Sequence, residues 1–125
     1  MEIITGNAQQ INSSCTNGWA VGHMQEGLAH SADLEIKLWH YDKPFDYDQK
    51  TFAGVEFITI YGGVLRFELE LPNGEKLEIT LRGDRHEFII LPPGTKKRVI
   101  VKEVPAFGDT IRWPSHPDAS QVIGK

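Results

Sequence analysis

The stretch Val64-Leu65-Arg66-Phe67-Glu68-Leu69-Glu70-Leu71, Pro72-Asn73-Gly74-Glu75, Lys76-Leu77-Glu78-Ile79-Thr80-Leu81 decides the fold. Apolar and polar residues alternate strictly on both sides of an Asn-Gly turn, which is the period of a half-buried strand and the strongest short-range hairpin signal. Leu65, Phe67, Leu69 and Leu71 share one face, with Leu77, Ile79 and Leu81 opposite on the returning strand. Arg66, Glu68, Glu70, Glu78 and Thr80 point to water, so the hairpin forms one layer of a core with a solvated outer side.

Outward from this hairpin, further β-rich runs occur at Leu34 to His40, Val55 to Tyr61, Glu87 to Leu91, Arg98 to Val101 and Thr110 to Trp113. Clusters such as Asp42-Lys43-Pro44 and Pro92-Pro93-Gly94 punctuate them. Short strands at regular spacing with turns between them indicate an all-β sandwich or barrel of about eight strands. Only Asn7 to Asn12 has the makings of a helical turn. The tail from Ser115 to Lys125 is expected on the surface.

The 125 residues, 40% hydrophobic and 24% charged, with 12 Gly and 7 Pro, match one ordinary globular domain over 1–125. Its barrel core is expected at about 34–113, preceded by an N-terminal extension over 1–33 and followed by the surface tail 115–125. Thirteen basic against seventeen acidic residues leave a net charge of -4, which removes the electrostatic attraction behind most nucleic-acid binding. Cys15 is the only cysteine and cannot close an intramolecular disulfide. The opening residues do not resemble a secretory leader, and no apolar run reaches membrane-spanning length. A soluble, cytoplasmic protein is expected.

Glu56 stands seven positions before Gly63, and Gly83-Asp84 is followed after seven residues by Pro92-Pro93-Gly94-Thr95-Lys96-Lys97. In this order, with the Asn-Gly hairpin between them, the two words resemble the two motifs of the cupin superfamily, G-x5-H-x-H-x3,4-E-x6-G and G-x5-7-P-x-G-x2-H-x3-N. The resemblance covers about residues 34 to 113 and implies a jelly-roll β-barrel. The chain is also similar to small single-domain cupin-like proteins, through Gly18-Trp19, Glu35-Ile36-Lys37-Leu38-Trp39, Gly83-Asp84 and Arg112-Trp113-Pro114-Ser115.

The resemblance implies a metal site built from the His and Glu residues of the two motifs, yet here only Glu56 matches. Lys50/Phe52 or Gln49/Thr51 stand where the first two His belong, and Lys97 where the last belongs. Protonated lysine has no lone pair to offer a metal, so no metal and no other cofactor is expected. His40 is the remaining candidate as an ectopic ligand beside Glu56. His23, His30, His86 and His116 show no H-x-H or H-x3-H pairing and read as surface residues.

Strand alternation makes Glu56 point inward with Ile58 and Ile60, and Lys97 with Val99 and Val101. A carboxylate and an ammonium then face one interior, where either would be costly alone. A buried Lys97 of lowered pKa is also a candidate base or Schiff-base former. On the preceding strand, Ile36, Leu38 and His40 are expected inside. Glu35, Lys37 and Trp39 are then outside, with Trp39 at a subunit contact of a homodimer.

The resulting expectation is a metal-free protein holding a small polar or anionic molecule in the mouth of the barrel, near His40, Glu56 and Lys97, with Tyr61 and Trp113 as aromatic walls. The alternatives are a small metal-dependent cupin enzyme, a dioxygenase or isomerase, and a non-catalytic interaction subunit with a sealed interior.

Overall fold

The Asn73-Gly74 hairpin forms as its pattern requires. β5 (Val55–Glu70) and β6 (Lys76–Arg82) run antiparallel, with Leu65 opposite Leu81, Phe67 opposite Ile79 and Leu69 opposite Leu77. The turn is closed by the Leu71 amide donating to the Glu75 carbonyl at 2.8 Å and the Gly74 amide to the Leu71 carbonyl at 2.8 Å. The computed structural model describes residues 3–14, 17–115 and 120–122, which places Cys15 and His116 outside the described residues.

The other elements are α1 (Ala8–Asn12), β1 (Trp19–Val21), β2 (Glu35–Tyr41), β3 (Phe45–Asp46), β4 (Lys50–Phe52), β7 (Phe88–Leu91), β8 (Lys96–Trp113) and β9 (Ser120–Val122). Two strands are far longer than the sequence pattern implies, β5 with 16 residues and β8 with 18. Val55 to Tyr61 continues into the hairpin, and Arg98 to Val101 is continuous with Thr110 to Trp113. The pairing of β5 with β8 shifts register between Ile60 and Leu65. Such irregularities bend a strand without ending it. Gly63 lies there at φ +81, and a Cβ on it would come within 2.5 Å of the Glu103 carbonyl oxygen.

The bend divides one continuous sheet into two halves. In the first, the order is β1, β2, the C-terminal part of β8, the N-terminal part of β5, then β7. In the second, β3 and β4 pair with the N-terminal part of β8, which pairs with the C-terminal part of β5 and so with β6. Inner faces meet in one core: Trp39, Ile58, Ile60 and Leu91 from the first half, and Leu65, Phe67, Leu69, Leu81 and Val101 from the second. Burial of this apolar surface is what holds the halves together.

The N-terminal residues add a third layer outside β2. Asn7 caps α1 by accepting from the Gln10 amide at 2.9 Å, and Asn12 donates to the Leu38 carbonyl at 2.7 Å. The expected surface tail is corrected at its first residue, and part of it joins the sheet. Ser115 is buried, accepting from the His23 amide at 2.8 Å, and Ser120–Val122 adds a strand to β4. No helix among the described residues is long and apolar enough to cross a membrane.

Candidate functional site

Antiparallel register lines up charges across the first half-sheet. Glu35 on β2 lies opposite Arg112 on β8, and Arg112 lies opposite Glu56 on β5, so one arginine stands between two carboxylates. One step along, Lys37 faces Thr110, which faces Ile58. The second half-sheet supplies Lys97, two residues into β8 after the Pro92-Pro93-Gly94 corner. That corner is tied to β4 by the Gly94 amide donating to the Phe52 carbonyl at 2.9 Å. Lys97 reaches across the barrel to the first half.

The contacts are short. Lys97 Nζ donates to Glu56 Oε1 at 2.7 Å, and Arg112 Nε donates to Glu56 Oε2 at 2.6 Å. Arg112 also lies 3.7 Å from Glu35 Oε1, and its guanidinium carbon is 4.7 Å from the centroids of both the Trp19 and Phe52 rings. His23 Nδ1 is 3.4 Å from Glu35 Oε2. Glu35 and Glu56 are each only 3% exposed, so these are interior charges.

Burial alone would raise the Glu56 carboxyl, but Lys97 and Arg112 outweigh it and bring it from 4.5 down to about 2. Lys97 is shifted down by burial, with Glu56 opposing; beside an ionised carboxylate at 2.7 Å it completes an ammonium–carboxylate pair. Glu35 goes the other way: burial raises it more than Arg112 and His23 lower it. For Glu56, folding favours the ionised form, and the gain is lost as pH falls. For Glu35, folding favours the protonated form, and the gain is lost as pH rises. Glu35→Gln is therefore expected to cost less stability at pH 7 than Glu56→Gln, checked by urea unfolding of both.

These groups line a cavity of about 90 Å³ between the half-sheets. Its walls are Trp39, Ile58, Phe67 and Val99, its charged lining is Lys37, Glu56, Lys97 and Arg112, and exposed Asp48 and Lys50 stand at its mouth. Lys37 Nζ lies 5.6 Å from the Trp19 ring centroid, and no carboxylate among the described residues is within ion-pair distance of it. Burial first, then the cations Arg112, Lys50 and Lys97, lower Lys37 to about 8, against the opposing pull of Glu56.

The alternation expected for β2 is inverted. Glu35, Lys37, Trp39 and Tyr41 face the interior, while Ile36, Leu38 and His40 face outward. Trp39 is 4% exposed, so it is a core residue and not a subunit contact. Opposite it stands Gly108, where a Cβ would come within 2.6 Å of the indole. The outer face is apolar because the N-terminal layer covers it: Ile11, Val21 and Leu28 border a groove against Leu38. His40 is there too, stacked on Phe107 and within 2.9 Å of Asp42 Oδ1, away from Glu56. Tyr61 donates to Asp109 Oδ2 at 3.2 Å and packs against His86, and Trp113 is exposed; neither lines the cavity. Of the expected site residues, the structure brings together Glu56 and Lys97. His23, expected at the surface, is partly buried beside Glu35.

No family model and no characterised protein matches the sequence. The structure is similar to oxalate decarboxylase from Bacillus subtilis, with a TM-score of 0.66 at 10% identity over 74% of this chain and 24% of that one. It is also similar to an oxalate oxidase solved with the substrate analogue glycolate (TM-score 0.60, 8% identity, 73% of this chain and 46% of that one). The coconut allergen cocosin matches with a TM-score of 0.61 at 15% identity over 73% of this chain and 24% of that one. The fold is a cupin jelly roll. The chain spans from about a quarter to less than half of these neighbours' lengths.

Within this jelly roll the interior donors do not suit the divalent cation that the fold implies. Both Glu56 oxygens accept from cations, and Lys37, Lys97 and Arg112 would repel a further positive ion. Lys97, which stands where the second motif has His, and Lys50, at one of the two alternative settings of the first motif's His, both line the cavity. Among the described residues no three His, Cys, Asp or Glu side chains gather in one place.

Proposed function

We propose that this protein is a metal-free cupin-like binding protein whose cavity holds a small organic anion through a carboxylate. The supporting observation is the charge count inside the barrel. Among the described residues, the mostly buried Lys97 and Arg112 and the half-buried Lys37 face two buried carboxylates, Glu35 and Glu56, with exposed Asp48 and Lys50 at the mouth. The surplus positive charge sits on Lys37, and an interior charge calls for a partner. A small carboxylate supplies that partner, and the apolar walls of Trp39, Ile58, Phe67 and Val99 enclose its carbon skeleton.

The fold neighbours include a protein named for oxalate and one solved with glycolate. Small carboxylates of that kind are therefore the first probes. Trp39 lines the cavity and reports occupancy by its fluorescence. Protein dialysed against a chelator is expected to show saturable quenching with oxalate, malonate or pyruvate, and none with malonamide. Lys37→Met is expected to weaken binding by on the order of tenfold or more, the loss of one charge-assisted contact. Binding that requires added manganese or iron, or stoichiometric metal in the purified protein, would overturn this reading in favour of the metal-dependent enzyme.

A further inference from the structure

One amine in the cavity can do more than attract an anion by its charge. Lysines 37, 50 and 97 all line it, but they are not equivalent. Lys97 is gripped by Glu56 at 2.7 Å, and Lys50 is exposed, its ammonium 5.9 Å from the Tyr47 ring centroid. Lys37 is half-buried, and no described carboxylate is within ion-pair distance of its amine. The charged and titratable groups around it are Arg112 from β8, Lys50 from β4, Lys97 from the opposite half-sheet and Glu56 from β5, with Tyr41, Tyr47 and Asp48 also on the cavity wall.

We propose that Lys37 condenses reversibly with the carbonyl carbon of a small oxoacid, forming an imine, while the acid's carboxylate rests in the field of Lys50, Lys97 and Arg112. This rests on the anion-binding reading above and names the ligand class for the same site. In the step, the Lys37 ammonium gives up one proton to solvent and the amine nitrogen bonds to the carbonyl carbon. The C=O π pair moves to oxygen, which takes up a proton. The carbinolamine then loses that oxygen as water while the C=N bond forms, and the imine nitrogen keeps a proton. Ammonium and ketone go in and iminium and water come out, with no oxidant or reductant.

Three features favour the step at Lys37. The amine must be neutral to attack, and its lowering to about 8 makes the neutral fraction at pH 8 roughly a hundredfold larger than for an ordinary lysine. The neighbouring cations draw the oxoacid's carboxylate to the same cavity, which raises its local concentration beside the amine. Apolar walls at Trp39, Ile58, Phe67 and Val99 disfavour the water that would reverse the condensation.

The test uses the intact protein with pyruvate and cyanoborohydride, which reduces an imine to a stable secondary amine. At pH 8, mass spectrometry is expected to find one reduced pyruvate adduct per chain, mapped to the peptide carrying Lys37, formed at least about tenfold faster than at exposed lysines. Lys37→Arg is expected to lose the adduct. Because the adduct is mapped in the wild-type protein, the answer does not depend on that variant folding. Labelling spread over surface lysines, placed on Lys50 or Lys97, or absent altogether would overturn the inference. Oxalate, which has no ketone, separates the two levels. Oxalate quenching without a pyruvate adduct sinks the imine and keeps the anion site, whereas neither signal sinks both.

Discussion

Glu56→Gln is expected to destabilise the fold by about 3–5 kcal/mol at neutral pH, since it leaves two interior cations facing a group without charge. Both oxygens of Glu56 are engaged, by Lys97 at 2.7 Å and by Arg112 at 2.6 Å, and the bond to Lys97 joins the two half-sheets at the cavity. The same residue sets part of the acid limb. Its carboxyl falls from 4.5 to about 2 on folding, so the stabilisation is complete above pH 4.5 and is lost as pH drops through 2. That displacement corresponds to roughly 3 kcal/mol, in line with the substitution. Urea unfolding from pH 7 to pH 2 is expected to show wild-type stability falling between pH 4.5 and 2, and a flatter profile for Glu56→Gln over that range. Equal slopes in the two proteins would show that the ion pair does not couple folding to pH.

Phe67→Ala is expected to cost about as much, 3–5 kcal/mol, through a different mechanism. Phe67 is completely buried, paired across the sheet with Ile79 and Val99, and belongs to the core that joins the half-sheets. Truncation removes apolar surface from that core and leaves a void that close-packed neighbours fill only in part. No titratable group changes, so the loss should be the same at pH 7 and pH 3, in contrast to Glu56→Gln. Phe67 also lines the cavity, so the variant should accept larger carboxylates than the wild type accepts. A loss that varied with pH would show Phe67 coupled to the ion pair, and an unchanged ligand size preference would separate it from the site.

The comparison of these two residues marks how far the chain could be read directly. Phe67 was legible because alternation around an Asn-Gly turn has one consistent solution: reversing it would bury Arg66, Glu68 and Glu70 and expose four apolar side chains. Glu56 and Lys97 were legible by counting in twos, from Ile58 and Ile60 or from Val99 and Val101, although Phe57 and Ile100 make the opposite faces partly apolar. On β2 both faces carry apolar groups, Ile36 and Leu38 on one, Trp39 and Tyr41 on the other. Alternation cannot choose between such faces. The choice was made by α1 and the residues after it, which pack over Leu38 and so leave the face with Glu35 and Lys37 to the interior.

Nothing in the spacing marks Arg112 as a site residue, because its role comes from register. It lies 56 residues beyond Glu56 and 77 beyond Glu35 along the chain, and pairing of β8 with both neighbours puts it between them. His40, Tyr61 and Trp113 were placed at the mouth by residue type alone; their strands turn them elsewhere.

By itself, then, the sequence determined an all-β chain with a central hairpin, the inward direction of Glu56 and Lys97, and a set of motif positions poor in metal ligands. Those properties follow from alternation and residue chemistry, which are local. Only the tertiary structure decided that two long strands bend to serve both half-sheets, that β2 presents its charged and aromatic face to the core, and that Lys37 shares a cavity with Lys97 and Arg112. Each of these depends on what covers a strand's other face and on which residues register brings opposite one another, and neither is written in the spacing of residues along a single strand.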